Sequence, residues 1–333
     1  MADSKGVLIC GECADGSLSS ITAELLGIGS KLASELGEEV SAVLLGEKVG
    51  AAAQEAVYFG ASKVYVIEDP ALKEYSTDAY VAAVDKLCKE TTPNIVLVGQ
   101  TSTGRDLAPR LAFRLGTGLT TDCIDLGIDP ETKLMLQTKP VYGGNALAVV
   151  VCEQARPQMA TVRPKSQEPL QRDESRKGEV IAFDGGIDPS QIRAKFIERV
   201  MTEVEGIKLE DAEVVVTGGR GMGAPESFEQ LAQLAKILGG AVGASRPPCD
   251  SGWVAANLQV GLTGKIVTPA LYIAVAVSGA SQHLSGCSGS KNIVAINKDP
   301  EANIFKVAQY GVVGDYKKIL PPFTAKVKEL LAG

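Results

Sequence analysis

A chain of 333 residues exceeds one ordinary hydrophobic core, so two domains of about 150 residues each are expected. Its 45% apolar and 22% charged content exclude disorder for the bulk of the chain, and a formal charge of −7 argues against a nucleic acid held through phosphate contacts. The longest apolar run, ALYIAVAV (270–277), falls far short of the roughly 20 residues that span a bilayer, and MADSK enters GVLICGE without a signal-type segment, so a cytoplasmic protein with no transmembrane segment is expected.

The chain begins as an alternation of strands and helices. GVLICGE (6–12) reads as a strand, after which Leu18, Ile21, Leu25, Leu32 and Leu36 recur at near-helical spacing up to Gly37. VSAVLLGE (40–47), KVYVIED (63–69) and NIVLVGQ (94–100) are further strands, with helical patterns over 51–60 and 79–90 between them. This series predicts a parallel sheet covered by helices. GRDLAPRLAFRLG (104–116) follows as an amphipathic helix with Arg105, Asp106 and Arg110 on a solvated or salt-bridged face. TDCIDLGID (121–129), KLMLQTKP (133–140) and NALAVVVCE (145–153) have little helix among them and are expected to extend or edge that first sheet.

The texture changes after TVRP. Residues 165–179, KSQEPLQRDESRKGE, are polar, carry both charge signs and show no apolar period, so the region near 165–190 reads as a flexible linker with one short strand in VIAF. That places one domain at 1–190 and another at 191–333. The second opens with AEVVVTGGRGMGAPESFEQLAQLAKILGG (212–240), read as strand, glycine loop and helix, and continues with strands in PALYIAVAVSG (269–279) and NIVAINKD (292–299).

Glycines 218–223 allow close backbone approach, and a helix starting near Pro225 would offer unpaired N–H groups to an anion. Gly219, Gly221 and Ala224 satisfy the loose G-x-G-x-x-A spacing, but the next apolar segment ends in AVGASR with no carboxylate for a ribose, which weighs against a nicotinamide site. Arg220, Ser245, Arg246, Gly261, Thr263, the SGASQH loop with the chain's one histidine, His283, and Asn297 all lie at the ends of strand-like runs. In an open parallel sheet those ends form the ligand crevice, and this residue set suits a large anionic hydrogen-bonding cofactor better than hydrolysis. Seven scattered cysteines indicate a reduced compartment, and one histidine with a single C-x-x-C (Cys10, Cys13) argues against a closed four-ligand metal site.

GGRGMG, ASRPPCDSGW, LQVGLTGK, LYIAVAVSGASQHLSG and SKNIVAINKDPEANIFKVAQYGVVGD, in this order, resemble the C-terminal FAD-binding domain of the electron transfer flavoprotein alpha subunit (the FixB family). GQTSTGRDLAPRLAFRLGTGLTTD in the first half is similar as well. The resemblance implies an α/β chain with an N-terminal nucleotide-binding-like (HUP-type) parallel-sheet domain lacking its own cofactor. A C-terminal doubly wound domain would hold FAD. It implies a heterodimer with a beta subunit, carrying electrons from acyl-CoA or related dehydrogenases, as in fatty acid beta-oxidation, to a quinone oxidoreductase or another acceptor. An electron-bifurcating complex and an NAD-dependent oxidoreductase are the alternatives.

The same resemblance places Arg220 by the FAD diphosphate. Ser245, Arg246, Val260, Gly261, Leu262, Thr263, Ser278, Gly279, Ala280, Ser281, Gln282 and His283 would surround the isoalloxazine and ribityl parts, with Asn297 and Asp315 at the adenosine end. Arg246 and His283 would stabilise the negative charge that reduction places near N1 and the C2 oxygen, and Thr263 would meet N5. Leu262 stands where the family commonly has Gln, and Ser281, Pro248-Cys249 and Cys287 also depart from its pattern.

Overall fold

In β1 (Val7–Gly11), Val7 and Ile9 enter one core cluster while Leu8 and Cys10 enter another, so both faces of the strand are buried. An unbroken apolar run is what a central strand of a parallel sheet needs when helices cover both sides. The computed structural model describes residues 4–14, 16–144, 146–194, 196–198 and 207–332. It divides into two units, Met1–Val141 with Leu147–Arg199, and Tyr142–Ala146 with Val200–Gly333.

In the first unit a short hairpin, β2 (Cys13–Ala14) and β3 (Ser17–Leu18), leads to α1 (Ser20–Leu36), β4 (Val40–Gly46), α2 (Gly50–Tyr58), β5 (Lys63–Glu68), α3 (Thr77–Thr91), β6 (Ile95–Gly99) and α4 (Ser102–Leu115). Then come β7 (Leu119–Cys123), β8 (Asp125–Ile128), β9 (Met135–Val141), β10 (Ala146–Val150), β11 (Gln158–Val162) and β12 (Glu179–Ala182). Among the described residues the main sheet is parallel, in the order β12-β5-β4-β1-β6-β11-β7.

Two sequence expectations are corrected here. Strands β8, β9 and β10 do not extend the main sheet but form one of their own, ordered β10-β9-β8. The chain leaves β7 through Asp122, whose φ is +63°, and the Arg163 guanidinium grips its carboxylate by two bonds of 2.9 and 2.7 Å. The register of β7 on β11 shifts at the same place, between Ala160 and Val162.

The polar segment read as a linker is instead tied into the first unit. Lys165 donates its backbone N–H to the Glu24 carboxylate on α1 at 2.7 Å, Arg176 donates to the Tyr58 carbonyl at 2.8 Å, and β12 pairs in parallel with β5. A β-carbon on Gly27, in the middle of α1, would stand 2.3 Å from the Glu168 carbonyl oxygen, which is why α1 tolerates glycine there. Hydrogen bonds rather than a buried apolar face hold this strap, so its sequence shows no hydrophobic period.

The second unit runs β13 (Val214–Gly218), α5 (Phe228–Ile237), β14 (Ala241–Ala244), α6 (Arg246–Asp250), β15 (Leu271–Val275), α7 (Ser281–Cys287), β16 (Asn292–Asn297), β17 (Tyr310–Val313) and α8 (Tyr316–Ala332). Its sheet is parallel, in the order β14-β13-β15-β16-β17. The order reverses between β13 and β15, the place where an open α/β sheet parts its loops to make a crevice. The glycine loop does not open directly into α5, because two 3-10 turns, Arg220–Met222 and Pro225–Ser227, intervene. SGASQH is not all loop either, since α7 starts at Ser281. No helix among the described residues is long and apolar enough to cross a membrane.

Glu24 gives the strap a pH dependence. Burial pushes its carboxyl up from 4.5 to about 7, against the pull of the Lys165 and Gln167 backbone N–H groups. A folded-state pKa above the unfolded one means stability is complete below the unfolded value and is lost as pH rises through the folded one. Denaturant titrations from about pH 5 to about pH 8 should therefore show the wild type losing stability relative to Glu24→Gln, by on the order of 2 kcal/mol.

Candidate functional site

The loops after β13 and β15 meet at the switch point. Gly219 donates its N–H to the Val275 carbonyl at 2.9 Å, and Gly221 donates to that of Ala276 at 3.3 Å. A β-carbon on Gly219 would lie 2.1 Å from the Ala276 oxygen, so only glycine permits this approach. Ala276 itself is held at φ +54°, a left-handed conformation unusual for alanine, where β15 turns into the crevice.

Beside these loops lies a cavity of about 690 Å³. Of the residues expected there, Arg220, Ser245, Arg246, Val260, Gly261, Leu262, Thr263, Ser278, Ala280, Gln282, His283 and Asn297 line it. Asp315 lies in an adjoining hollow of about 260 Å³, which shares Gly221, Ala276, Asn297 and Lys298 with the first. The Asp315 carboxylate also accepts the Lys317 N–H at 3.0 Å, at the start of α8.

Gly279 and Ser281 fall outside the wall. Gly279, at φ +77°, is packed so that a β-carbon would stand 2.2 Å from the Ile304 nitrogen, and its role is to let the chain pass. Ser281 is the first residue of α7, and its hydroxyl faces the Gln282 side chain at 3.3 Å. Sequence reasoning missed Lys298 and Asp299, which directly follow Asn297 at the end of β16 and were legible from that position alone. It also missed Gln259, whose amide donates to the Thr263 hydroxyl at 3.0 Å, a contact made by the turn and invisible in composition.

The polar groups in the wall differ in how far they are committed. Asn297 donates to the Val277 carbonyl at 2.8 Å and accepts from the Asp299 N–H at 3.0 Å, so its amide first orders the loops. The Arg246 guanidinium pairs with Asp250 at 3.1 Å but is two-thirds exposed, which leaves it other donors for a ligand. Thr263 accepts from Gln259 and keeps its own proton to give.

His283 is 6% exposed. Its Nε2 lies 2.9 Å from the Tyr272 hydroxyl, while Nδ1 is buried and has no hydrogen-bond partner. Burial lowers its pKa to about 4, with the Val260 backbone pulling the other way, so the ring is neutral at physiological pH. An unmet buried donor or acceptor costs about 1 to 3 kcal/mol, which marks this nitrogen as awaiting a partner.

The chain matches two family models, the electron transfer flavoprotein domain over residues 7–186 and the electron transfer flavoprotein FAD-binding domain over residues 208–288. It is 47% identical to the electron transfer flavoprotein subunit alpha of Thermoanaerobacterium thermosaccharolyticum, over 99% of this chain and 100% of that one. The chain belongs to the electron transfer flavoprotein alpha-subunit family. The subunit alpha of Megasphaera elsdenii is also 47% identical, over 99% of this chain and 98% of its own, and protein FixB of Clostridium saccharobutylicum is 42% identical over 100% and 99%.

FAD is therefore the cofactor of the second unit, and the site suits it: Arg220, Arg246 and Lys298 in its wall, glycines where backbone must approach, and an orphaned imidazole nitrogen on a wall residue. The alpha-subunit family also implies a beta-subunit partner. Cys10 and Cys13 are free thiols that burial pushes up to about 12 and about 11, so they stay protonated and unreactive.

Gly219→Ala should force the β13 and β15 loops apart. FAD affinity, measured by fluorescence on the heterodimer, is expected to fall about tenfold or more, with the circular dichroism of the complex kept.

Proposed function

We propose that this chain is the FAD-holding subunit of an electron carrier that works as a heterodimer with a beta subunit in the cytoplasm. It accepts electrons from acyl-CoA or related dehydrogenases and passes them to a quinone oxidoreductase or another acceptor. The observation that carries this reading is the buried, neutral His283 with an unpartnered Nδ1 on the cavity wall. Membership of the flavoprotein family and the absence of an acid–base pair or nucleophile–base arrangement among the lining residues support it.

FAD supplies reversible electron uptake when bound. Arg220 and Lys298 would offset the diphosphate charge, while Asn297 and Asp315 would hold the adenosine end. Thr263, with its oxygen held by Gln259, would have a hydroxyl proton to give to the flavin N5. Arg246 and His283 would hold the N1 and C2-oxygen side of the flavin, the first by charge and the second as a neutral donor. A donor that strengthens its bond as charge develops favours the reduced state. Leu262, 47% exposed in the wall, contributes only its backbone and apolar contact.

Co-expression with the beta subunit should yield a yellow heterodimer with FAD bound in this chain, counted by absorbance and release. Nicotinamide binding without flavin would instead support an NAD-dependent enzyme. Because His283 is neutral above about 4, the flavin midpoint potential followed from about pH 5.5 to about pH 8 should show no inflection from a histidine.

A further inference from the structure

Tyr272, the second residue of β15, is fully buried, and its phenol stands among His283, Thr217 and Cys287. We infer that Tyr272 is a positioning residue for the flavin site: its hydroxyl donates to Nε2 of His283 and thereby keeps the ring's proton on Nδ1. The inference rests on the reading of the cavity as an FAD site and adds to it the group that decides which face of the imidazole carries the donor.

The O···N contact of 2.9 Å holds one proton, supplied either by the phenol or by the ring. An imidazole sp² nitrogen accepts far better than a phenol oxygen, and a phenol donates well. If the ring donated, the Tyr272 proton would need another buried acceptor, and its remaining neighbours are a cysteine sulfur, a weak acceptor, and the Thr217 hydroxyl. Thr217 Oγ1 lies close enough to pull the phenol pKa down against burial yet outside hydrogen-bond geometry. Donation from Tyr272 leaves the buried phenol satisfied.

The other nitrogen agrees. The Val260 backbone beside the ring favours its protonation, while Nδ1 makes no hydrogen bond to the protein. The Nδ1–H still lacks a bond of proper geometry, and it belongs to a residue that lines the cavity. A cofactor oxygen is an acceptor of the kind it lacks. Burial keeps both groups uncharged, so the arrangement is a tautomer choice that does not titrate near neutrality.

His283 is the chain's one histidine, which makes the choice directly readable. With only this chain labelled with ¹⁵N-histidine, the ring nitrogens give a single pair of signals, the unprotonated one far downfield of the protonated one. Long-range couplings to the ring protons assign them. The full chain without FAD, and the FAD-loaded heterodimer, should both show Nδ1 protonated and Nε2 bare. In Tyr272→Phe the population is expected to shift toward Nε2–H, and the flavin potential of the loaded heterodimer to fall. Thr217→Val, which keeps the phenol, should leave the tautomer as in the wild type.

An Nε2–H tautomer in the wild type overturns the inference, and needs no variant to fold. So does an unchanged tautomer in a folded Tyr272→Phe chain. A heterodimer that binds no FAD, with the Nδ1–H tautomer still present and lost in Tyr272→Phe, would fault the reading of the cavity and leave the Tyr272–His283 relation standing.

Discussion

The hydrogen bond between Tyr272 and His283, made where water does not reach, is the constraint around which the second unit is arranged. β15 contributes the phenol from the middle of the sheet and α7 the imidazole from above it. Holding the two together requires α7 to press on the 259–264 turn, and the contact is so close that a β-carbon on Gly286 would stand 2.3 Å from the Gly261 nitrogen. Leu262 donates its N–H to the Gln282 carbonyl at 2.7 Å and closes the same contact. A neutral ring fixed in this way costs little reorganisation when charge appears beside it, which is the general advantage of a preorganised donor.

The two units solve the same topological problem differently. Both are parallel sheets whose order reverses beside their first strand, and at such a point the loops of an open sheet part. In the first unit the crevice beside β1 and β6 is taken by the chain's own Glu12. Its carboxylate accepts from Thr101 at 2.6 Å, at the N-terminus of α4, and lies over Gly99, where a β-carbon would be 3.3 Å away. Burial raises the Glu12 pKa. In the second unit the corresponding crevice is lined by cations and glycine and remains open as the cavity.

The strands were legible because both faces of each central strand are buried, as at Val215, Val216, Tyr272 and Ile273, so the apolar runs are unbroken. Much of the site was legible for a related reason: residues that follow such runs fall at the carboxyl edge, which brought Arg220, Ser245, Asn297 and the Gly261–Thr263 turn to one cavity. What composition concealed depends on tertiary contacts. Tyr272 reads as one more apolar strand residue until α7 places a ring nitrogen against it. Asp125–Ile128 reads as another strand of the main sheet until the Asp122–Arg163 pair turns the chain away. The 165–179 segment reads as free because scattered hydrogen bonds, such as those of Lys165 to Glu24 and of Arg176 to Tyr58, tie it down, a pattern with no period.

A neutral imidazole that favours the electron-rich state of the cofactor is the centre of this site. The most direct test of that role is the midpoint potential of the FAD-loaded heterodimer carrying His283→Leu beside that of the wild type, at equal flavin content. A clearly lower potential in the variant is the result the account predicts, and an unchanged potential would contradict it.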